Sequence, residues 1–341
     1  MKLTTIYDVA KKTGFSITTV SRALNNYPDV NEKTKKKILE AVEEMGYFPN
    51  SIARSLTTKK SFTFGVIFVE NLGVGIKHPF FSGVIEGFKI RAEKFGYDLI
   101  FLNRYIGNEE KSYIDHANYR GVDGIIVVCS NYEDPEVVKL IESPLPSVVI
   151  DIHSNKTNVI YSNNCYGGEL VIDHLYSLGH RKIAHIAGFD DTYTGQERLK
   201  GYKLGLEKYS LGINESYIVN GGYFSYEGGY QAMNELLKLE ELPTAVFVSG
   251  DSMAFGAIKA IKNAGLRVPD DISIVGFDDI ELAQHITPAL TTIRQDADLM
   301  GKKAADLLIN HINNKEEGFS AVMLPVELIK RESTKKISVT Q

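Results

Sequence analysis

The chain has 341 residues, 43% of them apolar and 24% charged, which suffices for two or three buried cores and excludes wholesale disorder. Its two cysteines, Cys129 and Cys165, form no Cys-x-x-Cys pair, which argues against a disulfide scaffold or a zinc ribbon, and no apolar run approaches the roughly 18 residues of a membrane span. The net charge of −5 is unevenly spread: residues 1–60 hold 11 Lys/Arg against 6 Asp/Glu and the remainder 27 against 37, so a basic head on an acidic body is expected to meet a polyanion.

In the head, Ile6, Val9 and Ala10 recur at helical spacing behind Thr5, which with Asp8 resembles a capping box. Gly14 offers a turn, and Ser16 can cap a second helix, Ile17 to Leu24, whose apolar face is Val20, Ala23 and Leu24. Helix, glycine turn, helix is the sequence form of a helix-turn-helix. The outward face of the second helix then shows Ile17, Thr18, Ser21 and Arg22, groups that reach base edges and phosphates. A third helix is predicted from the Asn31 cap to about Met45, stopped by Gly46. Its Lys33, Lys35, Lys36 and Lys37 form either a solvated face or, beside a helix-turn-helix, a phosphate-facing one. Asn50 can cap one short helix through Leu56, well under the ~12–15 residues at which an isolated helix becomes marginal, and the polar run Thr57–Ser61 reads as a linker.

These residues resemble the headpiece of the LacI/GalR family of bacterial transcription regulators. The resemblance rests on Ile6-Tyr7-Asp8-Val9-Ala10, Thr19-Val20-Ser21-Arg22-Ala23-Leu24-Asn25, Gly46-Tyr47 and Pro49-Asn50-Ser51-Ile52-Ala53-Arg54-Ser55-Leu56. It implies that the second helix enters the major groove, and that a hinge helix orders on DNA and wedges Leu56 into the minor groove. The implied DNA contacts are Thr5, Tyr7, Ser16, Ile17, Thr18, Thr19, Ser21, Arg22 and Asn25, with Asn50, Ala53, Arg54 and Leu56 in the hinge.

From Phe62 onward, short apolar strands alternate with helices: strands at Thr63–Val69, Asp98–Leu102, Gly124–Val128, Val148–Ile150 and Val159–Tyr161, then again from Ile183 to Gly276. Helices are predicted between them, including Asn108–Tyr119, Cys165–Leu178, Tyr226–Leu239 and Ser252–Ala264. Continuous apolar strands imply parallel sheets covered on both faces, in two lobes. Ligands of such sheets bind beyond the carboxyl ends of the strands. The residues standing there include Arg104, Cys129, Asp151, Asn163, Asp251 and Asp278, with Phe80 and Phe81 opening a helix, Arg198 after Gly188, and Phe224 after a further strand. Carboxylates, guanidinium groups and rings together suit a neutral, hydroxyl-rich molecule. Taken singly, Asp251 and Asp278 also read as helix caps and Arg198 as a structural ion pair.

The resemblance continues through the body, to about residue 332. It is carried by His78-Pro79-Phe80-Phe81, Gly121–Ile126, Leu178–Ile183, Arg198–Tyr202, Pro243–Phe247, Asp251–Gly256, Gly276-Phe277-Asp278-Asp279 and Pro288–Ile293. Bodies of this family resemble periplasmic sugar-binding proteins, with the effector between the lobes. Arg198, Asp251 and Asp278 fall at its usual contacts, and the full set implied is Phe80, Arg104, Asp151, Arg198, Phe224, Asp251 and Asp278. Gly250, Asn163, Arg104 and the Glu70–Lys77 insertion depart from the pattern at the pocket rim.

No dinucleotide fingerprint, phosphate loop, His-Glu-x-x-His or Gly-x-Ser-x-Gly is present, so neither an enzyme nor a cofactor or metal is expected. Gly167-Gly168 and Gly228-Gly229 read as close-packing sites within helices, and His174 and His180 as helix C-terminal caps. The expectation is an all-α helix-turn-helix headpiece (1–49), a hinge and linker (50–61), and an α/β core of two parallel-sheet lobes (62–341). The first lobe takes about 62–162 and 293–323, the second about 163–292 and 324–341. Together with the resemblance, this implies a cytoplasmic, homodimeric regulator of near-palindromic operator DNA, expected to be a repressor released by a small sugar. The alternatives are a regulator strengthened by a purine or phosphoprotein corepressor and, without a signal core at Met1–Asp8 to support it, a sugar-transport protein.

Overall fold

A computed structural model describes residues 4–48, 60–68, 75–129, 134–314 and 318–337. The chain forms two compact units, Met1–Ser61 and Phe62–Gln341.

In the head, α1 (Ile6–Thr13), α2 (Ile17–Leu24) and α3 (Glu32–Glu44) start and stop where their caps dictate. The Thr5 N–H and hydroxyl both donate to Asp8 Oδ2, at 2.9 and 2.7 Å, and Gly14 ends α1 at φ 74°, a conformation that costs glycine little. Ser16 Oγ accepts the Thr19 N–H at 3.1 Å and Asn31 Oδ1 the Thr34 N–H at 2.8 Å, opening α2 and α3. Val9, Val20, Ala23, Val30, Ile38 and Tyr47 close into one small core. The hinge residues Asn50, Ala53, Arg54 and Leu56 lie outside the described residues.

The body opens with β1 (Thr63–Phe68), α4 (Pro79–Glu93), β2 (Asp98–Leu102), β3 (Tyr105–Ile106), β4 (Glu109–Glu110), α5 (Tyr113–Arg120), β5 (Gly124–Cys129), α6 (Pro135–Ile141), β6 (Ser147–Ile150) and β7 (Asn158–Ser162). It then runs α7 (Asn164–Ser177), β8 (Ile183–Ala187), α8 (Tyr193–Lys208), β9 (Ile218–Asn220), α9 (Tyr226–Leu236), β10 (Ala245–Val248), α10 (Asp251–Asn263), β11 (Ser273–Asp278) and β12 (Thr291–Arg294). Last come α11 (Ala297–Asn314), β13 (Ala321–Leu324) and β14 (Glu327–Ile329). One six-stranded sheet has the order β13-β7-β6-β5-β1-β2 and the other β14-β12-β11-β10-β8-β9. Every pair in them is parallel except β12–β14. Strands β6, β8, β10 and β11 are buried along their whole length, because helices cover both faces.

The chain therefore passes between the sheets three times, after β7, after β12 and after β13. The second passage falls beyond Arg294, which still pairs with Asp278, so the first lobe resumes slightly later than the residue 293 expected from sequence. The antiparallel β14 was not expected, and neither were α6, α11 and β13. Residues Asn108–Tyr119 do not form one helix. Gly107, at φ 62°, turns the β3–β4 hairpin, and α5 begins only after Ser112, whose Oγ accepts the Asp115 N–H at 3.0 Å. The apolar residues that α5 buries begin at Tyr113, so the preceding acidic stretch had no face to bury.

The two histidines read as helix caps have another role. His174 Nε2 lies 3.0 Å from Thr334 Oγ1, and His180 lies 2.9 Å from Thr244 Oγ1 and 3.1 Å from the Lys335 carbonyl. They fasten the C-terminal segment to the second lobe. Burial drives the His174 pKa down to about 4 and lowers that of His180, so both rings are neutral at pH 7.

The paired glycines do mark close packing, Gly168 and Gly229 against neighbouring helices and Gly167 against the Phe277 ring of β11. A Cβ on Gly168 in α7 would come within 2.8 Å of the Arg198 carbonyl, and one on Gly201 in α8 would collide with the Cys165 carbonyl. Gly201→Ala should therefore destabilise the body by on the order of 1–3 kcal/mol, despite the ~1 kcal/mol that alanine gains over glycine in a helix. A lower urea midpoint at unchanged m-value checks this.

Candidate functional site

Two surfaces gather the residues singled out from sequence. On the head, Ile17, Thr18, Ser21, Arg22 and Tyr27 line an open groove along α2. Ile17 is 39% and Tyr7 68% exposed. Ser16 is occupied as the α2 cap, and Asn25 donates its side-chain N–H to the Ser21 carbonyl at 2.8 Å, so both also end or begin the helix. Arg22 is held by Asp29, which sequence reading had passed over.

In the body, a cleft is lined by His78, Phe80, Phe81, Asp151, Thr194, Arg198, Phe224 and Asp278. It lies where open α/β sheets place ligands. Asp151 follows β6, Asp278 closes β11, Phe224 follows β9, and His78, Phe80 and Phe81 surround the start of α4 behind Pro79. Three of these residues sit in left-handed backbone, Asp151 at φ 53°, Phe224 at φ 52° and Asp278 at φ 121°. Such strain persists only where the surroundings over-determine it, typically at ligand clamps.

Arg198 is the centre of the cleft. Its Nε donates to Asn164 Oδ1 at 2.9 Å, Nη1 donates to the Ser249 carbonyl, and Asp278 Oδ1 is 3.8 Å away. The guanidinium lies 3.8 Å above the Phe277 ring and 5.5 Å from that of Phe224. Burial lowers its pKa, opposed by Asp278, Asp151 and Asp251. All three carboxyls are pushed up by loss of solvation, Asp151 to about 6. Several buried polar atoms have no partner: both His78 nitrogens, Asp151 Oδ1 and Gln295 Oε1, although the Gln295 amide N–H donates to Asp278 Oδ1 at 2.7 Å. Native interiors rarely leave such groups unpaired, and those of His78 and Asp151 line this cleft.

Of the residues expected from sequence, the structure brings Phe80, Asp151, Arg198, Phe224 and Asp278 together and leaves two out. Asp251 is fully buried behind the cleft, accepting the Thr292 hydroxyl at 2.6 Å and the Ile280 N–H at 2.9 Å; it braces the β11–β12 connection. Arg104 lies on the β3–β4 hairpin and pairs with Glu110 at 2.7 Å. A position just beyond a strand end is shared by both residues, but only the backbone path decides which side chains turn inward. Phe81, read from sequence with Phe80 at the start of α4, joins the lining, whereas His78 and Thr194 were missed as contacts. Pro79, at the first turn of a helix beyond β1, was the available signal for His78.

Comparison with known proteins is consistent across the chain. The signature described as bacterial regulatory proteins, lacI family, matches residues 5–50, and that of the periplasmic binding protein-like domain matches residues 172–334. The HTH-type transcriptional repressor PurR of Haemophilus influenzae (strain PittEE) is 37% identical over 98% of this chain and 100% of its own. The chain belongs to the lacI family of bacterial regulatory proteins. Among solved structures, a lac repressor dimer bound to operator and the anti-inducer ONPF superposes with a TM-score of 0.84 at 31% identity, over 98% of this chain and 100% of that one. A CelR–cellobiose complex does so at 0.72 and 29%, over 97% and 99%. This lacI-family member is a DNA-binding transcriptional repressor, and its relatives are repressors rather than enzymes. Among the described residues no helix is long and apolar enough to cross a membrane.

The charge balance of this lacI-family cleft makes its two central residues unequal. Arg198→Ala leaves buried carboxylates without their counter-charge and should cost about 3–5 kcal/mol. Asp278→Asn removes one of several acids around a guanidinium that keeps Ser249 and Asn164, and should leave the urea midpoint nearly unchanged at pH 7.5. Parallel unfolding curves of the two variants check the asymmetry.

Proposed function

We propose that this repressor acts in the cytoplasm as a homodimer, reads a near-palindromic operator through the outward face of α2, and is released by a small neutral polyol, a sugar. The observation that carries the effector reading is the set of unpartnered buried atoms on His78 and Asp151, which line the cleft beside Phe80, Phe81 and Phe224. Hydroxyl groups both donate and accept and so satisfy an imidazole and a carboxylate together. The C–H faces of a ring suit Phe80, Phe81 and Phe224. An anionic ligand is disfavoured, because Asp151 and Asp278 already outnumber Arg198. The cellobiose bound to CelR is a carbohydrate precedent. The dimer reading draws on the lac repressor dimer and on the two-fold symmetry of palindromic sites.

A second reading is a flat heterocyclic corepressor such as a purine. The several phenyl rings of the lining favour it, and so does the kinship with PurR repressors. The sign of one experiment separates the two. Operator duplex selected from a random pool is titrated with protein in the presence of a sugar panel and a purine panel at millimolar concentration. A sugar is expected to weaken binding, and a purine that strengthens it establishes the second reading instead. A ligand shifts DNA affinity only through its differential affinity for two lobe arrangements.

Two further outcomes are expected. Arg22→Ala should lose about 1–3 kcal/mol on the selected operator and less on a scrambled duplex, as measured by anisotropy. Effector affinity should also depend on pH through Asp151. Its carboxyl is held up to about 6, and a ligand hydroxyl donating to it favours the ionised form. Affinity should therefore fall as pH drops from 7 to 5, with proton release on binding above pH 5. Calorimetry in two buffers of different ionisation enthalpy measures this, and Asp151→Asn should flatten the profile.

A further inference from the structure

The head carries an acid where a polyanion-binding surface has no obvious use for one. Nε of Arg22 donates to Asp29 Oδ1 at 3.2 Å, and Nη2 lies 2.7 Å from Oδ2, so the carboxylate grips one whole edge of the guanidinium fork. The aromatic ring of Tyr27 stands 5.1 Å from the guanidinium carbon. This arrangement is built by the turn between α2 and α3. Asn26 takes φ 56°, the Tyr27 N–H donates to the Arg22 carbonyl at 3.1 Å, and Val30 anchors the turn in the head core. Pinned between Tyr27 and Val30, Asp29 faces back toward the last turn of α2, which has no acid of its own.

We infer that Asp29 is a specificity-determining positioning residue: it orients Arg22 so that the outer edge of its guanidinium faces a base pair rather than a phosphate. The inference rests on the reading that Arg22 contacts bases. The guanidinium plane has a second edge, formed by Nη1 and Nη2, and a bidentate guanine contact uses one such edge. A long arginine side chain left alone samples many rotamers and readily falls onto the nearest phosphate, a contact without sequence information. Occupying the Nε edge holds the other edge outward, and the negative charge of Asp29 repels phosphates from the same place. Both effects sacrifice non-specific affinity and raise the ratio of operator to random binding. The pair is half exposed on both sides, so it adds little to the stability of the head.

The test uses the full-length protein, a randomised duplex pool, the duplex selected from it and a scrambled duplex of equal length. Asp29→Ala should relax base preference at one symmetry-related pair of positions and lower the selected-to-scrambled affinity ratio tenfold or more. On scrambled DNA its plot of log affinity against log salt should steepen by about 1 per head, as Arg22 gains a phosphate. The thermal midpoint should not move. In an Arg22→Ala background, Asp29→Ala should change the ratio no further. Unchanged preference and a ratio within twofold of the parent overturn the proposal, as does an equal loss with and without Arg22. If Asp29→Ala loses the helical signal of the head, Asp29→Asn decides by the same comparisons. Arg22→Ala that leaves base preference intact overturns the reading of the α2 face itself, and the proposal with it.

Discussion

One buried guanidinium sets the terms for the body of this protein. Arg198 sits in a space that excludes most water, with its amide and carbonyl partners on Asn164 and Ser249 and its ring partner on Phe277. Around it stand Asp151, Asp251 and Asp278, more acid than one cation neutralises. The surplus is tolerable because burial raises the carboxyl pKa values and because Thr292, Ile280 and Gln295 donate hydrogen bonds to two of the acids. The consequence reaches beyond stability. A cleft with this balance repels further negative charge and rewards donors, and so restricts what can enter it.

That arrangement exists only because the chain crosses between two sheets three times. Asp151 belongs to the first lobe and Asp278 to the second, so the cleft is a property of neither lobe alone. Tyr193, at the start of α8, meets Tyr161 at 5.7 Å and stacks with His153 at 6.5 Å between ring centres, adding an aromatic contact between the lobes. On the other side of the crossing, Asp279 binds Arg294 and Arg331 at 2.7 and 2.6 Å and ties the end of β11 to the returning C-terminal segment. Packed elements of this kind move between discrete arrangements rather than deforming smoothly. The proposed effector response needs no more than two such arrangements.

The head follows different physics. Its core is a handful of residues, and its three helices are short, so the caps at Thr5, Ser16 and Asn31 and the turn at Gly14 carry much of its definition. Local signals of that kind are strong in sequence, and the boundaries of α1 and α2 are legible to the residue. What sequence did not reveal is the partner of Arg22. Asp29 lies seven positions later in a turn with no periodicity. Its approach depends on where Val30 is anchored.

The same contrast runs through the body. Apolar runs such as Ile183–Ala187 and Ala245–Val248 identify buried parallel strands on their own, since covering both faces leaves no alternation. They place Asp151, Phe224 and Asp278 at strand ends, and the resemblance of the Arg198–Tyr202 segment points to Arg198. Asp251 and Arg104 satisfy the same rule but do not line the cleft. Position beyond a strand is a local property, whereas facing the cleft depends on backbone direction, on the Gly107 hairpin in one case and on the Thr292 and Ile280 hydrogen bonds in the other. The roles of His174 and His180 were equally hidden, because their partners Thr334, Thr244 and Lys335 are 64 to 160 residues away. Sequence by itself determined the caps of the head helices, the buried parallel strands and the family, because these follow from nearest-neighbour chemistry and burial periodicity. Only the tertiary structure decided which side chains share the cleft, because that depends on three lobe crossings that bring together residues no local pattern relates.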